Sequence, residues 1–199
     1  MTLEEKKILR ASEHILFALD VCAFKMNVRH EFLPGKLREI QSFIGKYKTM
    51  SLLNGLGVSG PISVDHTPMG KPFVKNSEYQ ISIAHSRNMV VVAASHCPVG
   101  VDIEHRKNEE ERLKLLTPHE RAVAQEKNLN FTVLWTFKEA MFKATGGKYG
   151  SVFRSEIVGL EKGNIIATFS YGGIMVTRFF KYFTRIRKNE VTTVVLLIE

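Results

Sequence analysis

The sequence predicts an α+β fold of two similar subdomains, residues 1–98 and 99–199, each with helices packed on a small antiparallel sheet. Three observations carry this reading. Helical apolar spacing gives way to a β-hairpin pattern twice, about 100 residues apart. The mass of 22.6 kDa suits one generous domain or two small units. No Pro/Ser-rich linker or low-complexity stretch divides the chain, and 44% apolar with 24% charged residues excludes disorder.

Leu3 to Phe24 has helical spacing, with Ile8, Ile15, Leu16 and Leu19 recurring on one side. His30 to Gly57 reads as helix again, broken near Pro34-Gly35. Leu56 to Gly70 is rich in Gly, Pro and Ser and predicts a loop with at most a short strand. Tyr79 to Ala84 alternates, with Ile81 and Ile83 on one side. Met89 to Ser95 is a continuous apolar run. His85-Ser86-Arg87-Asn88 between them reads as a hairpin turn. Val99 to Ile103 predicts a third strand.

Thr117 to Lys127 predicts a helix with an explicit start. Thr117 is the N-cap, Pro118 the first helical residue, and Glu120 completes a capping box. Phe131 to Thr145 is a further helix, stopped by Gly146-Gly147. Strands follow at Ile165 to Tyr171, Ile174 to Ile186 and Val191 to Ile198. Arg187-Lys188-Asn189-Glu190 turns between the last two.

Lys and Arg number 28 against 20 Asp and Glu, a formal charge of +8. Residues 1–100 hold 12 basic and 8 acidic side chains and residues 101–199 hold 16 and 12, so each half is +4. The charge belongs to the body of the fold and points to an anionic partner. Nucleic acid is one such partner, but no helix-turn-helix, zinc or aromatic-basic motif supports it. Cys22 and Cys97 lie in no paired spacing; one disulfide between them is an open alternative, but free thiols in a reducing cytoplasm fit better. The acidic, amphipathic N-terminus has no signal-peptide pattern, and no apolar run approaches the roughly 20 residues of a membrane span.

Four short motifs carry chemistry. In Gly100-Val101-Asp102-Ile103-Glu104, a strand puts both carboxylates on one face. Adjacent carboxylates repel unless a cation separates them, and oxygen-only ligation suits Mg²⁺. A bare pair of this kind is more often a solvent-facing strand edge. In Trp135-Thr136-Phe137-Lys138-Glu139-Ala140-Met141-Phe142-Lys143, Glu139 and Lys143 share a helix face at i and i+4. Alone, that pair reads as a surface ion pair. Gly70-Lys71-Pro72-Phe73 presents a lysine from a stiffened turn, and His85-Ser86 places an imidazole at a hairpin tip. Each of these has a bland structural reading.

In order, GKPF, ISIAHS, GVDIE and WTFKEAMFK resemble the phosphopantetheinyl transferases of the surfactin type. The resemblance is strong over Gly70 to Gly150 and weak elsewhere. It implies two subdomains related by a pseudo-twofold axis, acting as a monomer. It implies transfer of the phosphopantetheine arm of coenzyme A to a serine of an acidic acyl or peptidyl carrier protein, with release of 3′,5′-ADP. Asp102, Glu104 and Glu139 would hold Mg²⁺ against the diphosphate. Glu139 would also accept the serine proton, directly or through a metal-bound water, and Lys143 would offset charge on the leaving group. Lys71 and His85 would hold the nucleotide end, with His85 near the 3′-phosphate. Lys138 would contact coenzyme A, although it lies about 140° from Lys143 around an ideal helix. Lys48 would be the basic contact of the first-half helix. Gly146 to Gly150 would be a flexible docking or lid segment. Ala84 departs from the serine usual before the histidine, which removes a hydroxyl. Glu120 matches a position considered for the base, but its capping role ranks it below Glu139. An inactive binder of coenzyme A is the remaining alternative, and retention of all three carboxylates and both helix lysines argues against it.

Overall fold

We describe, in a computed structural model, residues 24–25, 34–87, 89–106, 110–187 and 189–198. The chain divides into two compact units, residues 1–97 and 98–199. The helix expected over Leu3–Phe24 lies outside the described residues, except that Phe24 belongs to a strand. That strand, β1 (Phe24–Lys25), pairs antiparallel with β5 (Met89–Ser95).

In the N-terminal unit, α1 (Pro34–Gly55) starts at Pro34 instead of breaking there. Proline suits a first helical position because the amide it lacks would have no intrahelical partner. β2 (Val64–His66) and β3 (Pro72–Val74) form a short hairpin. β4 (Gln80–Ser86) pairs with β5, and the three-stranded sheet runs in the order β1-β5-β4. Every residue of β5 is buried, as its apolar run requires. Leu52 and Leu53 of α1 pack with Ile81, Val92 and Ala94 of this sheet. One expectation needs correction. The ladder extends to Ser86↔Met89, so the turn comes after Ser86 and takes in Arg87. His85 and Ser86 therefore lie on the strand, not in the turn.

Gly45 sets how closely α1 approaches the sheet. A Cβ added there would stand 2.9 Å from Ile83 Cγ2. Glycine in a helix interior costs about 1 kcal/mol relative to alanine. Here that cost accompanies a close helix-to-strand contact, which draws the next residues of α1 toward β4.

In the C-terminal unit, β6 (Val99–His105) leads through a 3₁₀ turn (Glu110–Leu115) to α2 (Pro118–Glu126) and α3 (Phe131–Ala144). A second 3₁₀ turn (Val152–Arg154) precedes β7 (Ser155–Glu161), β8 (Asn164–Tyr171), β9 (Ile174–Arg187) and β10 (Glu190–Leu197). These strands form one antiparallel sheet in the order β6-β10-β9-β8-β7. β7 was not expected. Its register shifts between Ile157 and Gly159, and a bulge of this kind erases strict alternation. Phe131, Leu134, Phe137 and Met141 of α3 pack into a core with Phe169 and Phe180. Each large apolar side chain buried in this way contributes about 1.5–3 kcal/mol.

The capping box of α2 forms. Thr117 Oγ1 accepts from the Glu120 amide at 3.1 Å, and Glu120 Oε2 accepts from the Thr117 amide at 3.0 Å. α3 is capped by Asn130, whose side chain accepts from the Val133 amide at 3.0 Å. It ends where the Gly146 and Gly147 amides bond back to Lys143 O and Phe142 O. The segment after it is no free lid. Tyr149 is buried, its ring centroid 4.6 Å from that of Phe169, and its hydroxyl accepts from Arg178 Nε at 2.9 Å. Among the described residues, no helix is long and apolar enough to cross a membrane. Cys97 carries a free thiol, and Cys22 lies outside the described residues.

Candidate functional site

The seam between β6 and α3 is set by Gly100. A Cβ on Gly100 would stand 1.9 Å from Ala140 O and 2.6 Å from Ala144 N, so only glycine lets α3 lie against the strand. Strand alternation puts Gly100, Asp102 and Glu104 on the same face. That face meets the helix: Thr193, opposite Asp102 in the ladder, shares a 2.8 Å hydrogen bond with Thr136 of α3.

Lys143 and Asp102 meet across this seam, with Nζ 2.7 Å from Oδ1. Asp102 is 6% exposed, and its Oδ2 is buried with no hydrogen-bond partner. A buried carboxylate oxygen without a donor is costly, and a cation would satisfy it. Glu139 stands one helical turn before Lys143. Burial pushes its carboxyl above the usual value of 4.5; the negative charges of Asp102 and Glu104 add to the rise, while Lys143 opposes it. The three carboxylates therefore sense one another through space. Their oxygens are hard donors of the kind Mg²⁺ takes. Among the described residues, however, no three Asp, Glu, His or Cys side chains enclose a metal position. The donor chemistry fits a divalent cation, while a closed cage is not formed.

Lys138 requires a correction. It is 1% exposed, and its ammonium donates to Glu120 Oε1 and to Ser155 O, both at 2.6 Å. Glu120 is 0% exposed and also accepts from the Ile157 amide at 3.1 Å. Lys138 thus serves the interior, where its helical offset from Lys143 turns it, and its reading as a coenzyme A contact gives way. The same contacts explain why Glu120 sits in the chain: it ties the start of α2 to α3 and β7.

The remaining expected contacts lie in the N-terminal unit. Lys71 follows a turn in which the Thr67 amide donates to Lys71 O at 2.9 Å and Thr67 Oγ1 accepts from the Lys71 amide at 3.1 Å. Partial burial pushes its ammonium below the usual lysine value. His85 lines a cavity of about 180 Å³ whose floor includes Ile83 and Pro72. The helix side of that cavity comes from Ser42 and Lys46. Lys48, the expected contact, is not part of the lining, and its ammonium lies 5.9 Å from the Tyr47 ring centroid. Two residues along a helix are about 200° apart, so the two lysines face different directions. Ala84 is buried on the opposite strand face from Ile83 and His85, so a hydroxyl at that position would not point into the cavity.

Sequence reasoning overlooked Lys46 and His66, which also lines the cavity. The spacing of Ser42 and Lys46, four apart on one helix face, was a signal available for the helix side. Nothing local marked the pairing of Glu120 with Lys138.

Residues 98–194 match the model of the 4′-phosphopantetheinyl transferase superfamily. The C-terminal unit belongs to that superfamily. The 4′-phosphopantetheinyl transferase gsp of Aneurinibacillus migulanus is 37% identical over 84 residues. That similarity covers 39% of this chain and 35% of the relative, so the chain spans about a third of the relative's length. The transferase segment holds Asp102, Glu104, Glu139 and Lys143, together with the structural pair Glu120 and Lys138. Lys71, His85 and the cavity precede it.

Proposed function

We propose that the chain is a phosphopantetheinyl transferase that moves the phosphopantetheine arm of coenzyme A onto a carrier-protein serine. One observation supports this most directly: within the superfamily segment, Lys143 and Asp102 stand 2.7 Å apart beside a carboxylate, Glu139, with a raised proton affinity.

The reaction joins the serine oxygen to the phosphorus that bears the arm. The bond from that phosphorus to the bridging oxygen breaks, and 3′,5′-ADP leaves. Asp102, Glu104 and Glu139 would hold Mg²⁺, which supplies charge neutralisation at the diphosphate. Glu139 takes the serine proton, and its raised proton affinity, from burial and then the charge of Asp102, shifts it in the direction that suits a base. Lys143 has two partners in turn, Asp102 in the free protein and the departing phosphate oxygens during transfer. Lys71 and His85 hold the nucleotide end. The basic body of the protein, +8 overall, suits an acidic acyl or peptidyl carrier. The helix-then-hairpin order in both halves supports a duplicated, pseudo-twofold architecture.

Incubation with coenzyme A, Mg²⁺ and a panel of apo carrier proteins tests the reading by intact mass. At least one carrier gains the arm, and removal of Mg²⁺ stops the gain. A panel in which every carrier keeps its apo mass refutes the proposal.

A further inference from the structure

One carboxylate oxygen at the seam of β6 and α3 is left bare although a donor stands beside it. Lys143 takes Asp102 Oδ1 at 2.7 Å, while Oδ2 is buried with no hydrogen-bond partner. Thr193 is the ladder partner of Asp102. Side chains directly opposite on antiparallel strands share a face, with Cβ atoms about 4.5–5.5 Å apart. A hydroxyl at that spacing can reach a carboxylate, and it would satisfy Oδ2. Here it is turned elsewhere.

Counting hydrogens shows why. A hydroxyl has one hydrogen to give and two lone pairs with which to accept. Thr136 Oγ1 gives its hydrogen to Val133 O at 2.8 Å, since a carbonyl can only accept. In the 2.8 Å contact between Thr136 Oγ1 and Thr193 Oγ1, Thr136 therefore accepts and Thr193 donates. Thr184 Oγ1, 3.1 Å from Thr193 Oγ1, then donates to Thr193. The chain runs one way, from Thr184 through Thr193 and Thr136 to Val133 O. Every hydroxyl hydrogen in it is committed, and none is left for Asp102. Thr136 and Thr193 are both 0% exposed, so solvent does not reorder the chain.

We propose that Thr136 is a positioning residue for the cation site: by holding the Thr193 hydroxyl, it keeps Asp102 Oδ2 open as a metal ligand. This rests on the Mg²⁺ reading above and adds to it a residue that touches neither metal nor substrate. A hydrogen bond donated to Oδ2 would compete with a cation for the same lone pairs. The chain also ties β9 and β10 to α3 three residues before Glu139, so the contact that withholds a hydrogen from one carboxylate anchors the helix that carries another.

Calorimetric titration of the full chain with Mg²⁺ tests the inference. Thr136→Val removes the acceptor, frees the Thr193 hydrogen for Oδ2 and weakens Mg²⁺ binding about tenfold or more, the scale of a hydrogen bond to a charged group. Thr193→Val removes the competing hydroxyl itself and stays within about twofold of wild type. The double variant, Thr136→Val with Thr193→Val, recovers the affinity that Thr136→Val loses. Thr136→Ser keeps the hydroxyl and binds as wild type does. Thermal unfolding without Mg²⁺ follows packing in each variant, and Thr136→Ala repeats the test should the valine variant not fold. A merely structural role for the chain predicts that the double variant binds most weakly, and that result overturns the inference. Unchanged affinity in Thr136→Val also overturns it and leaves the metal reading intact. Wild-type protein that binds no Mg²⁺ refutes the metal reading itself, and the inference with it.

Discussion

Lys138 and Glu120 meet at 2.6 Å with neither side chain exposed beyond 1%. The pair joins two helices and, through Ser155 O and the Ile157 amide, the start of β7. Taking two charges out of water is expensive, and the surrounding donors and acceptors are what make the pair tolerable. Removing one partner strands the other.

Lys138→Met should therefore lower stability by about 3–5 kcal/mol, the cost of leaving one buried charge unpaired. Urea unfolding measures it. Coenzyme A affinity of the folded variant should stay within about twofold of wild type, since the ammonium never reaches the ligand. A large loss of affinity with full stability would reinstate Lys138 as a contact.

Glu120→Ala should cost at least as much. It leaves Lys138 Nζ and the amides of Thr117 and Ile157 without their acceptor. The loss of a cap alone would be about 0.5–2 kcal/mol, so the measured value separates a local cap from an interior hub.

Gly100→Ala should destabilise at or beyond the upper end of the roughly 1–3 kcal/mol typical of overpacking. The added methyl meets backbone, at 1.9 Å from Ala140 O, and backbone cannot rotate away. Any folded fraction should also lose transfer, because α3 must shift and carry Glu139 and Lys143 with it. Thermal unfolding and the carrier mass assay report the two effects.

Glu139 gives a pH signature. Its folded affinity for protons lies above the usual value of 4.5, through burial and then the charges of Asp102 and Glu104. A raised carboxylate is penalised when ionised, so it costs stability above 4.5 and costs nothing below it. Glu139→Gln should match wild type in melting temperature at pH 4 and exceed it at pH 7, in the absence of Mg²⁺. Mg²⁺ should raise the melting temperature of wild type and raise that of the variant less. Transfer should be lost. A variant less stable than wild type at pH 7 would contradict the like-charge account.

Much of the fold was legible because it rests on local signals. The Thr117-Glu120 box, the Gly146-Gly147 stop and the β4–β5 and β9–β10 hairpins are written in neighbouring residues. β7 was not legible, since the bulge at Gly159 breaks its alternation. The carboxylates and Lys143 were legible through their two- and four-residue spacings, which put side chains on one face of a strand or helix. Lys138 misled for the same reason: adjacency in sequence to Glu139 says nothing about which side of α3 it faces, and its partner lies 18 residues away. Lys46 and Lys48 differ in a similar manner, since only the seating of α1 on β4 decides which lysine meets the cavity.

Tyr149 bears on recognition. Gly146, Gly147 and Gly150 all take left-handed backbone angles, and a stretch so composed would sample many shapes if it were loose. Its aromatic ring and hydroxyl are instead fastened to Phe169 and Arg178. The ordering entropy, about 1–2 kcal/mol per residue, is met during folding and not at the moment of encounter. The exposed Lys148 is thereby offered on a preset contour. A partner that docks there selects for shape, and the binding free energy it gains is not spent on moulding the loop.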